Sequence, residues 1–291
     1  MELRNPDVGD KKVITESCVI DGMSDAEYHA DPVEGGSLSS TGAKALLRSP
    51  AHYKWQLANS VQKATFDLGH AVHSMVLGVG LGVIEIPSEL LASNGAVSTK
   101  EAKAFIAEAR ENGSVPLKAD VFTECTLMTE AVLAHPLARA LLEAPGKSEQ
   151  SMFATDPITG VWLRARADRL SDNGTIVDLK TAVSADPRDF GRSSAEYGYD
   201  IQSEWYQGVL ELARKDKATG FRFIVVEKSA PYLVSVIELD SEYALIGRQR
   251  MRRAVDLYKE CVDKDEWPGY GDTSHLVGPP TWLAYEEGMV L

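Results

Sequence analysis

Cysteine is scarce in this 291-residue chain: Cys18, Cys125 and Cys261 stand far apart, without C-x-x-C spacing. That pattern argues against a disulfide framework, a zinc ribbon or a cysteine-ligated iron–sulfur cluster. Positive charge is short as well. Thirty Lys and Arg face 43 Asp and Glu, a formal net charge of −13, which speaks against a generally basic, nucleic-acid-coating surface but not against a local basic strip. No apolar run is long enough to span a bilayer, and the first residues, MELRNPDVGDKK, lack a signal-peptide core. The expectation is a cytoplasmic protein with no membrane partner. There is no internal repeat, no low-complexity stretch and no Pro/Gly/Ser-rich linker. With 44% hydrophobic residues the chain can bury a substantial core.

Local signals place the elements. Ser24-Asp25-Ala26-Glu27 has the spacing of a capping box and opens a short helix, and Ser98 with Glu101 has the same spacing before a helix to about 111. Leu38-Ser39-Ser40-Thr41 precedes a helix that ends before Pro50, and Pro50 suits the first turn of the next. Thr65 or Asp67 is placed to cap a helix through 77. A short strand is expected over 83–86 and helical pattern over 118–142. Strands dominate 151–180, helix returns over 199–213, strands follow over 221–227 and 233–239, and a long helix covers 241–263. The arrangement predicts a mixed α/β layer architecture in one domain over 1–291. Within it, 1–145 is expected to be mostly helical, 146–240 to form the sheet core, and 241–291 to supply a helix and tail.

The richest segment is GVWLRARADRLSDNGTIVDLKTA, residues 160–182. Two apolar-rich runs flank Ser171-Asp172-Asn173-Gly174, as in a β-hairpin or closely related strand pair. Alternation puts Asp178 and Lys180 on one strand face and Leu179 on the other. Two carboxylates from neighbouring strands, Asp168 and Asp178, with an ammonium beside them, suit a hard divalent cation and a reacting phosphate. A surface ion pair on an edge strand is the alternative. Two helical spacings bear on the choice. Gly69 and His73 share a face at i,i+4, and a neutral imidazole can join aspartates around a metal; a packed or capping histidine is the other reading. Gln202 and Tyr206 also share a face, where an amide and a phenol can hold a phosphate or water, unless the helix is simply amphipathic.

In this order, G-x-x-x-H, an acidic residue opening a strand (Glu149), R-x-D (Arg166, Asp168), D-x-K (Asp178, Lys180) and Q-x-x-x-Y resemble the PD-(D/E)XK nuclease superfamily. The run Ser39-Ser40-Thr41-Gly42-Ala43-Lys44-Ala45-Leu46-Leu47-Arg48-Ser49-Pro50-Ala51-His52-Tyr53 makes the chain similar, more specifically, to the RecE-type (exonuclease VIII-like) branch, over roughly 20–270. The resemblance implies a central mixed β-sheet flanked by helices. It implies metal ligation by His73, Asp168, Asp178 and the Leu179 carbonyl, with Glu149 at the remaining acidic position or in a surface salt bridge. Lys180 would orient the nucleophilic water and stabilise charge on the phosphate, and Gln202 and Tyr206 would line the site. Mg²⁺ is the implied cofactor, with Mn²⁺ able to substitute. The implied activity is 5′→3′ digestion of linear double-stranded DNA by a homo-oligomeric ring, leaving 3′ single strands for a strand-annealing recombinase in DNA recombination.

Because cations are few, their placement matters. Arg164 and Arg166 alternate onto the face of Asp168 and are candidates for backbone phosphates, with salt bridges as the competing role. Ser39, Ser40, Lys44 and Arg48 are candidates for a 5′-phosphate pocket near a helix N-terminus, where helix capping competes. Arg248, Arg250, Arg252 and Arg253 cluster on the last helix, as a DNA grip or a solvated face. Trp267, Pro268, Tyr270, Trp282 and Tyr285 are expected to pack on the domain or a neighbouring subunit. An internally cutting or single-strand nuclease, and a non-catalytic DNA-binding module, are the alternative functions.

Overall fold

A computed structural model describes residues 13–59, 68–80 and 82–279. The chain begins with β1 (Cys18–Ile20), α1 (Asp25–His29), β2 (Leu38–Ser39), α2 (Ser40–Arg48), α3 (Pro50–Ala58) and α4 (Leu68–Leu77). Next come β3 (Gly82–Glu85), α5 (Lys100–Glu111), β4 (Ser114–Leu117), α6 (Ala119–Ala134) and α7 (Pro136–Glu143). The long strands β5 (Gly146–Thr155), β6 (Trp162–Ser171) and β7 (Thr175–Ala182) follow, then α8 (Pro187–Tyr197) and α9 (Tyr199–Arg214). The described chain closes with β8 (Gly220–Glu227), β9 (Val234–Ile237) and α10 (Ser241–Lys264). Among the described residues no helix is long and apolar enough to cross a membrane.

Seven strands form one mixed sheet in the order β1-β5-β6-β7-β8-β9, with β2 added alongside β6. β7 and β8 run parallel and the long β5–β6 pair antiparallel. The crossover from β7 to β8 is α8 and α9, as parallel neighbours require. One sheet face packs α2, α9 and α10 over Leu163, Ala165, Ile176 and Phe223. The other packs α4, α6 and α7 over Val177, Leu179, Ile224 and Val226. The period of two therefore holds on β7: Val177 and Leu179 enter one core, while Asp178 lies on the α9 side.

Several local expectations shift. Among the described residues up to 145, seven α-helices are joined by four short strands, of which β1 and β2 join the main sheet and β3 and β4 form a parallel pair of their own. The helical pattern over 118–142 divides into α6 and α7. Pro136 lacks the amide hydrogen that would continue the helix, and it instead occupies the first turn of α7. At the second capping-box spacing the N-cap is Thr99, whose hydroxyl accepts from Ala102 N. The Ser24/Glu27 box is present in full, and Ser39 and Ser49 cap α2 and α3. Helix α8 is polar overall, with Phe190 its one large buried apolar side chain, and so does not announce itself in the sequence. Thr65, Asp67, Trp282 and Tyr285 lie outside the described residues. Trp267 stacks on Tyr53 at 5.6 Å between centroids and so pins the tail to α3.

Helix α10 crosses α9 closely at Gly247, where a Cβ would stand 2.3 Å from Asp200 O and 2.8 Å from Glu204 Cγ. Since backbone is the obstacle, Gly247→Ala must push the helices apart. It is expected to lower stability by roughly 2 kcal/mol or more. Gly278→Ala, with nothing within 4 Å, should be near neutral. Urea midpoints of the two variants check this.

Candidate active site

The site forms where the sheet opens. β6 pairs with β5 along its length, but its other edge is shared. Only Arg169↔Val177 and Leu170↔Ile176 pair it with β7, while Leu38↔Leu163 and Ser39↔Arg164 pair it with β2. Residues 165–168 have no strand partner on that side. Alternation also breaks there, since Leu163, Ala165, Ala167 and then Leu170 all belong to the α9-side core. Asp168 sits at the break. Across β5, the ladder pairs Ser148↔Arg169 and Gln150↔Ala167 and skips Glu149, whose φ is 53°.

Side chains enter this opening from both sheet faces. His73 comes from α4 and places Nε2 at 2.9 Å from Asp168 Oδ2 and Nδ1 at 3.4 Å from Glu149 Oε1. The Leu179 amide donates to the same Asp168 oxygen at 2.7 Å. Gln202, from α9, donates to Asp178 Oδ1 at 2.6 Å, and the Lys180 ammonium lies 2.6 Å from Asp178 Oδ2. Six of the expected residues are thus together: His73, Glu149, Asp168, Asp178, Lys180 and Gln202. Tyr206 stands one turn further along α9, packed on Phe221 with ring centroids 5.9 Å apart, behind Gln202 as seen from the carboxylates. Tyr199, which no motif singled out, offers its ring to Lys180 at 5.2 Å. Its only prior signal was its position one turn before Gln202 on the same helix.

Burial and like charge set the protonation. Burial pushes Asp178 up; Lys180 opposes this and the Asp168 charge adds to it, leaving the carboxyl at about 6. Burial would also raise Asp168, but the His73 charge and hydrogen bond, with Lys180, bring it below its usual value. For His73, burial works against the charged ring and loses to Asp168 and Glu149, so the imidazole is pushed up to about 9. Lys180 is likewise raised, because Asp178 and Asp168 outweigh its burial. Tyr206 rises well above the phenol range through burial first, and then through Tyr28 and Asp178.

Arg164 and Arg166 take the salt-bridge role weighed for them. Arg164 is ion-paired to Asp31 and donates to Ser37 O at 3.0 Å. Arg166 is paired to Glu149 at 2.5 Å and donates to Met23 O at 2.9 Å. Both guanidiniums lie over the Tyr28 ring at 5.6 Å. Neither is a free cation, so the salt-bridge role describes them. Arg248, Arg250 and Arg252 are also paired, with Glu204, Asp200 and Asp156. Ser39 is committed to capping α2, Ser40 is buried beside it, and Arg48 is exposed at the far end of that helix. Lys44 is the exception. Its ammonium donates to Tyr197 O at 3.1 Å, and burial followed by repulsion from Lys180 lowers its pKa. Its stem passes Gly198, where a Cβ would stand 2.7 Å from Lys44 Cδ and φ is +66°. Two requirements, space and a left-handed turn, select glycine there.

Among the described residues, no three His, Cys, Asp or Glu side chains converge on a point as ligands around an ion. Asp168 and Asp178 nonetheless present the buried carboxylate oxygens that a hard divalent cation takes. Asp178 Oδ2 is buried without a well-directed hydrogen bond. The two aspartates fit such an ion. His73, now the ion-pair partner of Asp168, fits it only by giving up that contact.

A mixed sheet with helices on both faces and D-x-K on a central strand defines the class: a PD-(D/E)XK-type fold. A family model described as PDDEXK-like domain of unknown function (DUF3799) matches residues 39–277, and the chain belongs to that family. No curated protein matches it. Among solved structures it is similar in fold to a protein named as a candidate exonuclease from Eubacterium rectale. That likeness has 15% identity and a TM-score of 0.54, over 87% of this chain and 94% of that one. An alkaline exonuclease from Laribacter hongkongensis is a more distant match, with 14% identity and a TM-score of 0.27 over 65% of this chain and 95% of that one.

The raised His73 pKa has a consequence for the metal-free protein. A group whose folded pKa exceeds its unfolded value stabilises fully below the unfolded value and loses that contribution as pH rises through the folded one. For His73 the window runs from 6.5 to about 9. Thermal stability in EDTA should fall across it, by roughly 2 kcal/mol at most, and His73→Gln should flatten the decline. Asp178 titrates below this window. Melting temperatures in a pH series check the expectation.

Proposed function

We propose that this chain is a metal-dependent exodeoxyribonuclease that digests linear duplex DNA 5′→3′. One observation carries the reading: Asp168, Asp178 and Lys180 meet where β6 and β7 part, at a gap in the sheet that side chains reach from both faces. Two buried carboxylates beside a protonated lysine are a poor structural choice, since burial penalises each charge. They are what hydrolysis of a phosphodiester asks for. The Eubacterium rectale protein of similar fold is named for exonuclease activity, which supports cutting from chain ends.

In this reading Asp168, Asp178 and the Leu179 carbonyl hold a divalent cation, Mg²⁺ or Mn²⁺, with His73 joining them. Such an ion would supply a water of lowered pKa and a charge at the phosphate. Lys180, its pKa raised by Asp178 and Asp168 against the effect of burial, stays protonated and acts on the phosphate oxygens as a fixed positive charge rather than as a base. Gln202 orients Asp178 through its amide, and Tyr206 lies behind Gln202. Lys44, whose hydrogen-bond acceptor is a carbonyl and not a carboxylate, offers its charge to a backbone phosphate next to the scissile one. Glu149, both of whose oxygens are engaged, stays outside the ligand set. A ring of subunits and a strand-annealing partner in recombination complete the proposal.

The decisive assay compares linear with covalently closed duplex in Mg²⁺. Loss of the linear form from its 5′ ends, with the circle intact, is expected; digestion of the circle would support internal cutting instead. Asp178→Ala should reduce the rate by about 10²-fold or more, and full activity in that variant would remove the site assignment. Lys44→Met keeps the stem beside Gly198 and removes the charge. It should weaken DNA binding in EDTA and lower the slope of log affinity against log salt by about 1, as read by fluorescence anisotropy.

A further inference from the structure

We propose that Glu149 is a positioning residue for His73, and that its left-handed backbone serves this role. The inference rests on the reading of His73 as part of the nuclease centre. Glu149 lies inside β5 at φ 53°, a conformation that side-chain-bearing residues rarely adopt. The ladder does not require it. Pairing with β6 has the same register on both sides, Ser148↔Arg169 before and Gln150↔Ala167 after, so no residue is inserted or lost. What the turn of the backbone achieves is the aim of the carboxylate.

That carboxylate is used at both oxygens. Oε2 meets Arg166 Nε at 2.5 Å and Oε1 meets His73 Nδ1 at 3.4 Å. Arg166 is itself fixed, by Met23 O at 2.9 Å, by Ser151 Oγ at 3.1 Å and by the Tyr28 ring. A held guanidinium thus holds a carboxylate, which holds one imidazole nitrogen while Asp168 takes the other at 2.9 Å. With Asp168 alone the ring could swivel about that single contact. With carboxylates at both nitrogens its plane is set, as second partners do for metal-site histidines. Strain kept at such a point is in line with a functional constraint rather than a packing one.

Two variants test this. Glu149→Gly accepts φ 53° without steric cost and removes the carboxylate; Glu149→Gln keeps the shape and removes the charge. Both variants should stay folded: in the glycine variant the relief of backbone strain partly offsets the loss of the Arg166 and His73 partner, and in the glutamine variant an amide oxygen still accepts from Arg166, so neither melting temperature should fall far. Turnover on linear duplex should fall about 10-fold or more in each, with KM little changed. The exchange-protected Nδ1–H resonance of His73, followed by NMR in the metal-free protein, should be present in the wild type and lost in both variants. Unchanged turnover with a persistent resonance would overturn the proposal, as would a large drop in melting temperature in both variants, which marks a structural role. If the wild type has no nuclease activity, the functional reading fails, and the NMR comparison alone decides the role of Glu149.

Discussion

Two carboxylates are buried side by side in a gap of the sheet, and the surrounding structure answers to that charge. Asp168 and Asp178 lie on neighbouring strands at the point where those strands stop pairing. In such an environment like charges repel strongly and each also forfeits hydration. The fold responds with one cation per carboxylate, His73 on Asp168 and Lys180 on Asp178, and with amide donors from Leu179 and Gln202. The compensation is uneven. Asp168 receives an imidazolium and a backbone amide and ionises readily, whereas Asp178 remains raised to about 6. The deficit at Asp178 is where another positive charge would have the greatest effect.

The opening that admits these groups is a topological product. β6 gives one half of an edge to β7 and the other half to β2, and neither strand covers the stretch between. Because β2 runs directly into α2, the same arrangement brings Lys44 to the site, under the glycine that joins α8 to α9. One helix face supplies Tyr199, Gln202 and Tyr206 at successive turns. Three secondary structures with no sequence proximity therefore meet at a place defined by missing strand pairs.

What was legible in the chain follows from periodicity. The faces of Asp178, Lys180 and Leu179 are set by a period of two, those of His73, Gln202 and Tyr206 by a period near four, and each is read within a few residues. What escaped was set by distance. Arg164 finds Asp31, 133 residues away in sequence, and Arg166 finds Met23, 143 away; nothing local in R-x-R-x-D tells a phosphate ligand from a buried ion pair. The break in alternation at Asp168 was equally hidden: it lies across from the φ of 53° at Glu149 on the neighbouring strand, and no local pattern announces either. Strand β2, two residues long, has no pattern of its own and exists because β6 offers it an edge.

These pairings bear on how an acidic protein would meet a polyanion. Arg164, Arg166, Arg248, Arg250 and Arg252 are each matched with a carboxylate within the fold, so they add little net field outside it. Within the site, the positive charge open to a phosphate is carried by Lys180, already shared with Asp178, and Lys44, whose acceptor is a neutral carbonyl. A carbonyl fixes the ammonium without cancelling it. A carboxylate in the same position would fix it more firmly and leave nothing for a ligand. Such a site draws its attraction for phosphate from one or two cations and from any bound metal ion, and repels the polyanion elsewhere. If the chain acts on nucleic acid as proposed, such a site favours contact at one point of the backbone over a broad surface.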